Sequence, residues 1–192
     1  MILSIDIGFA DLGFCVVDDE GNIIEVGLCR TKKDRATSVS VDSLSRCRSL
    51  ASQLREVISR REALSTLRAE APSYPREAST STKLGMSWGI LMSVLPPDLA
   101  VEIITPQNMR KGLDLPRGAD KEDLFTKARE LHPEALKIIE ETYPVKLRQH
   151  IIDAICVASI DPEKGLFHEV KTSSPVKGRT PLQLDLEGRR LL

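Results

Sequence analysis

The stretch LRQHIIDAICVASI, residues 147–160, reads as one helix that is apolar on nearly every side. Such a helix has no face to offer to water, so the chain must fold in layers that cover it. Yet His150 and Asp153 stand three residues apart on one of its faces, about one turn from each other. Burying an imidazole beside a carboxylate is unfavourable unless the two are paired or bind an ion. A layered fold with a polar site set into it is the starting constraint.

The rest of the chain supplies the layers. MILSIDIG is an apolar run broken by Ser4 and Asp6, the pattern of a strand covered on both faces. LGFCVVD and NIIEVGLC flank the turn Asp18-Asp19-Glu20-Gly21 and complete an antiparallel meander. From Val41 to about Arg61, Leu44, Cys47, Leu50, Ala51, Leu54, Val57 and Ile58 recur at helical spacing, which predicts an amphipathic helix lying on the sheet. LSTLRAEAP reads as a fourth strand ending at Glu70, because Pro72 and Pro75 cannot extend a central strand. A helix follows over 77–94, LAVEIITP is a fifth strand, Pro106 opens the next helix, and a further helix spans about 119–131. Gly85 and Gly89, one turn apart, suit close packing within the fold. Strands alternating with helices after a meander predict an α/β fold, a mixed five-stranded sheet flanked by helices. The domain is expected over residues 1–160, followed by a partly irregular tail at 161–192, where Pro162, Gly165 and TSSPVKGRTP break all periodicity.

Charge narrows the function. A net charge of −1 over 192 residues provides no global attraction to nucleic acid or anionic membrane, so a polyanionic partner must be held by a local patch. Cys15, Cys29, Cys47 and Cys156 form no CxxC pair, which suggests reduced thiols in a cytoplasmic or other reducing intracellular compartment. The opening run carries an acid and no basic leader, so neither a signal peptide nor a membrane span is expected.

The acids fall on three separated segments: Asp6 in the first strand, Glu70 at the end of another, and Asp153 with His150 on the late helix. Taken as structure alone, Glu70 is a solvated strand end and the His150–Asp153 couple a hydrogen-bonded pair at a helix interface. Asp6 fits a structural role least, because a charge inside an apolar strand needs a partner. If the segments converge, like charges raise one another's pKa until a cation joins them, and hard oxygen donors suit Mg²⁺ or Mn²⁺. Two such ions about 4 Å apart activate a water and stabilise the leaving oxygen of a phosphodiester.

The same segments resemble the RuvC family of Holliday junction resolvases. ILSIDIGFADLGFCVVD is similar to the family's opening strand with Ile-Asp-x-Gly and its glycine-containing return strand. Glu70 followed by APSYPREASTSTKLGMSWGIL resembles the second acidic motif, with its aromatic-tipped loop and Lys-Leu-Gly helix. ITPQNMRKGL with GADKEDL, and finally HIIDAICVA, resemble the remaining motifs in the same order. The resemblance implies an RNase H-like fold, a homodimer, and paired metal-dependent nicks across a four-way DNA junction. It implies Asp6, Glu70, His150 and Asp153 as catalytic metal ligands for two Mg²⁺ ions, with Mn²⁺ as a substitute and Asp6 as the bridge. Many members carry aspartate where this chain has His150, so an imidazole that binds an ion or positions water is the departure here. The resemblance also places Tyr74 near the junction-probing aromatic, where it would stack on an unpaired base. Arg76, Lys83, Arg110, Lys111, Arg117 and Lys121 are candidate phosphate contacts, Lys121 through its place in Ala-Asp-Lys-Glu. A sugar-kinase or actin-like ATPase also opens with Asp-x-Gly but needs two such domains, more than this chain holds. A broader flap or fork debranching nuclease, or a non-cleaving binder of branched DNA, remains as an alternative.

Overall fold

Alternation along the first strand sorts the molecule into two layers. In the computed structural model, which describes residues 1–71, 77–165 and 167–171, β1 (Ile2–Asp6) turns Leu3 and Ile5 to one face and Ser4 and Asp6 to the other. β1 pairs antiparallel with β2 (Asp11–Val17), which pairs antiparallel with β3 (Ile23–Arg30). On its other side β1 pairs in parallel with β4 (Thr66–Glu70), and β4 in parallel with β5 (Ala100–Ile104). The order is β3-β2-β1-β4-β5-β6, in which β6 (His168–Glu169) is a two-residue antiparallel edge.

One face is covered by α1 (Val39–Ser59) and α2 (Ala78–Val94), whose Leu50, Leu54, Val57, Ile58 and Leu91 pack with the Leu3 and Ile5 row. The opposite face carries α3 (Pro106–Gly112), α4 (Lys121–Leu131), α5 (Pro133–Thr142) and α6 (Val145–Ala158). α6 lies on β1 and β2 with α4 and α5 against it, which is why its sequence is apolar all round. Two contacts set its height above the sheet. A Cβ on Gly13 of β2 would stand 1.9 Å from the carbonyl oxygen of His150, so only glycine admits the helix there. One strand over, the buried Ser4 Oγ lies 2.7 Å from the Ala154 carbonyl and 3.2 Å from that of Cys15.

Turn chemistry follows local sequence. The Asp18 carboxylate accepts from the amides of Glu20 and Asn22 at 3.0 and 2.7 Å, and Gly21 takes φ +84° to close the β2–β3 hairpin. Thr105 caps α3 with Pro106 at its first turn, and Asp120 caps α4 in a box with Asp123.

The structure departs from the sequence expectations in several places. The sheet has a sixth strand, too short to leave a period in the sequence. α5 is an additional helix; only Leu136 and Ile139 of it are buried, a single i,i+3 pair. Only the second half of α1 packs on the sheet, and Leu44, expected on the apolar face, is 65% exposed. Gly85 and Gly89 do not serve packing among the described residues, since a Cβ on either would meet nothing within 4 Å. Of the expected tail, Phe167 lies under the Arg68 guanidinium at 4.5 Å and β6 joins the sheet, while residues 172–192 lie outside the described residues. Among the described residues no helix is long and apolar enough to cross a membrane.

The close approach at Gly13 gives a direct test. Gly13→Ala forces backbone against backbone, which no rotamer change relieves, so urea unfolding should show a loss of at least about 1–3 kcal/mol. A Gly13→Ala protein as stable as the parent would mean that α6 can lift off the sheet freely.

Candidate active site

The three acids meet because of strand direction. Asp6 and Glu70 immediately follow or end the parallel pairing of β1 with β4, whose last matched residues are Ile5 and Ala69. Their side chains therefore leave neighbouring strand ends on one face, at a strand spacing of about 4.8 Å. That face is the one α6 covers, and Gly13 brings the His150 turn down onto it. His150 Nδ1 lies 2.7 Å from Asp6 Oδ2, and Gln149 Nε2 donates to Asp153 Oδ1 at 2.8 Å.

Electrostatics mark the cluster as short of positive charge. Glu70 is pushed up to about 7, first by desolvation and then by the Asp153 and Asp6 charges, against the opposing cations Arg110 and Lys121. Asp153 is pushed up to about 6 by desolvation and by Asp6, against the Gln149 hydrogen bond, Lys121 and His150. His150 moves upward from its ordinary value, chiefly through its hydrogen bond to Asp6. That bond makes Nδ1–H the donor to the carboxylate and leaves Nε2 for an ion or a proton.

The donor set suits a hard divalent cation, with three carboxylates, one imidazole and mutual repulsion that a cation would relieve. The side chains are not closed around a point: among the described residues no group of three or more His, Cys, Asp or Glu stands ready to hold an ion. Asp6, Glu70, Asp153 and His150 are the residues that would hold it, after local side-chain movement.

The candidate cations divide. Arg110 and Lys121 face the acids, as their pull on Glu70 requires. Arg110 is itself anchored, donating from Nε to the Ala119 carbonyl at 2.9 Å and from Nη1 to that of Pro106 at 3.2 Å. Lys83, Lys111 and Arg117 are exposed. Tyr74 and Arg76 lie outside the described residues. Two further residues join the site that sequence reasoning missed. Gln149 stands four before Asp153, a helical spacing from which the contact was legible. Asp11, paired with Arg30 at 2.8 Å, adds to the field on His150, and only the fold brings it there.

A mixed α/β sheet with helices on both faces and acids at the ends of its central parallel strands is an RNase H-like fold. No family model matches the chain, and no curated protein matches its sequence. Among solved structures, Thermus thermophilus RuvC in complex with a Holliday junction substrate is similar, with 19% identity, a TM-score of 0.62 and coverage of 82% of this chain and 89% of that one. A second Thermus thermophilus RuvC structure matches at 19% identity and TM-score 0.60, over 82% and 90% of the chains. The yeast mitochondrial Holliday junction resolvase Ydc2 matches at 12% and 0.56, over 82% and 75%. The chain has the fold of the RuvC-type resolvases.

The shifted carboxyls predict how stability depends on pH and metal. Glu70, raised from 4.5 to about 7, holds its proton in the folded protein where the unfolded chain has lost it, so its penalty grows as pH rises through that window. Asp153, raised from 3.8 to about 6, acts in the same direction. The stabilisation from protonated His150, complete below its ordinary 6.5, is also lost as pH climbs through its raised value. In EDTA at pH 8, Glu70→Gln should raise Tm by roughly 3–8 °C, with little effect at pH 5. Mn²⁺ should raise the parent's Tm at pH 8 far more than at pH 5. An equal drop in Tm at both pH values for the Glu70→Gln protein would show that Glu70 is favourably paired instead.

Proposed function

We propose that the protein is a divalent-metal-dependent, structure-specific DNA endonuclease that resolves four-way junctions by paired, symmetric nicks. The observation that carries this reading is the convergence of Asp6, Glu70 and Asp153, with raised pKa values at Glu70 and Asp153, on the fold of resolvases. When bound, Mg²⁺ or Mn²⁺ would supply the positive charge that the attacking and leaving oxygens of a phosphodiester need in the transition state. Asp6, which acts on both Glu70 and Asp153 and is hydrogen-bonded to His150, would be the shared ligand. Gln149 fixes the Asp153 carboxylate. His150, oriented through Nδ1 by Asp6, keeps Nε2 to hold an ion or to accept a proton from the attacking water. Arg110 and Lys121 stand beside the acids and are suited to a phosphate next to the scissile one.

A homodimer belongs to the same proposal, since symmetric nicks need two sites related by a two-fold axis. Support comes from Val41 and Leu44 on α1 and Met86 and Met92 on α2, exposed apolar side chains on two helices that pack together, and from the open backbone at Gly85 and Gly89. The four free cysteines, three of them buried, accord with work in a reducing compartment. The nuclease unit is assigned to residues 1–160, with β6 as an edge contributed by the segment that follows.

The test is one gel series on four-way junction, flap, fork and linear duplex in Mg²⁺, Mn²⁺ or EDTA. The junction should be cut in paired positions with either metal and left intact in EDTA. Asp6→Asn, a change of charge without size, should bind the junction in Ca²⁺ while losing cleavage by at least about 10³-fold. Equal cutting of flap and fork by unpaired nicks would favour the broader debranching nuclease, and undiminished cutting by the Asp6→Asn protein would move the active site elsewhere.

A further inference from the structure

The catalytic edge has cations on a second side that the proposed mechanism leaves unused. β3 runs parallel to β1, because each is antiparallel to β2, so its carboxyl end emerges at the same edge of the sheet as Asp6 and Glu70. The chain leaving that end reads Arg30-Thr31-Lys32-Lys33-Asp34-Arg35. Lys32, Lys33 and Arg35 are exposed, and none of them enters an ion pair or a side-chain hydrogen bond among the described residues.

This segment is built onto the catalytic turn. The Thr31 amide donates to the Ala10 carbonyl at 2.8 Å and its hydroxyl donates to the Phe9 carbonyl at 2.6 Å, both in the β1–β2 connection directly after Asp6. Arg46 on α1 donates from Nε to Thr31 Oγ1 at 2.9 Å and stacks over Phe9 at 4.4 Å. Asp42, buried on α1, accepts the Asp34 amide at 2.7 Å and so holds the middle of the loop. A merely solvated charge run needs none of this fixation. Here the backbone is fastened and the cationic side chains are left outward.

Position indicates the partner. Arg110, on the helix that follows β5, and Lys121, at the start of α4, pull on Glu70 at the end of β4, whereas the 32–35 segment leaves β3, two strands away on the other side of β1. At about 4.8 Å per strand the edge from β3 to β5 measures roughly 20 Å, the rise of five or six nucleotides in a duplex. In a chain of net charge −1, these two patches bracket a carboxylate cluster that would by itself repel DNA.

We propose that the β3–α1 connection, through Lys32, Lys33 and Arg35, binds the phosphate backbone of the duplex arm that leaves the active site on the β3 side. This rests on the nuclease reading above. Its contact is with phosphates and carries no base sequence.

The experiment measures binding to a four-way junction and to a linear duplex arm of the same sequence, in EDTA and over 50–300 mM salt, as set in the assay. Lys32→Ala/Lys33→Ala is compared with the equally charged control Lys137→Ala/Lys171→Ala, which changes exposed lysines on α5 and beside the start of β5. The first variant should lose roughly tenfold in affinity near 0.1 M salt for both DNAs, and its log K against log[salt] slope should be shallower by about 1.8, at ~0.9 per lost phosphate contact. Its melting temperature and its cleavage rate at saturating junction should match the parent. Lys32→Gln/Lys33→Gln repeats the test with polar side chains kept in place. If the parent binds and the alanine pair binds equally well with the same slope, or no worse than the control pair, the inference is overturned while the nuclease reading stands. A parent that binds neither DNA overturns both.

Discussion

Everything in the site depends on how closely α6 can approach the sheet. The absent side chain at Gly13 lets the His150 carbonyl press against β2, and the Ser4 hydroxyl fastens the next turn at Ala154. These two contacts bring His150 within hydrogen-bond reach of Asp6 and carry Asp153 into the field of Glu70. A larger residue at position 13 would raise the helix and separate His150 and Asp153 from Asp6 and Glu70. The apolar wrap of α6 follows from the same requirement, since a helix pressed between sheet and helices must be apolar wherever it does not line the site.

The cost of this packing is electrostatic. Desolvation and mutual repulsion push Glu70 to about 7 and Asp153 to about 6, so near neutral pH the folded protein ionises these carboxyls at a cost the unfolded chain does not bear. Arg110, Lys121 and the His150–Asp6 bond offset part of this but do not remove it. A protein gains nothing in stability from such a cluster, which is the physical ground for reading it as a cation site. The same repulsion would extend outward to a polyanion, and Arg110, Lys121 and the outward cations of the fastened 32–35 loop are the complement it calls for.

Much of this was legible in the sequence, for identifiable reasons. Asp6 stood out because it interrupts an apolar strand, Glu70 because two prolines end its strand just beyond it, and His150 with Asp153 because a helix that is otherwise wholly apolar carries them on one face. The meander, both long helices and the Pro106 start were given by period and punctuation. α5 escaped because two buried residues make no period, and β6 because two residues make no alternation. The half-packed α1 was overread, since an apolar stripe from Leu44 to Ile58 does not reveal where the sheet beneath it ends. Asp11 and the Lys32–Arg35 segment were invisible as parts of a site, because only the antiparallel return of β2 and β3 brings them to the edge that carries Asp6.

The central claim, that the acids form one divalent-cation site, is tested most directly by calorimetry of Mn²⁺ binding in two buffers of different ionisation enthalpy. Because burial and mutual repulsion push Glu70 up to about 7 and Asp153 up to about 6, binding at pH 6.5 should release about one proton per chain from these two groups, more if His150 also gives one up. The release should fade toward zero by pH 8.5, as set in the assay, and Asp6→Asn should weaken binding strongly. Mn²⁺ binding with no proton release at pH 6.5, or binding unchanged in the Asp6→Asn protein, would contradict the account.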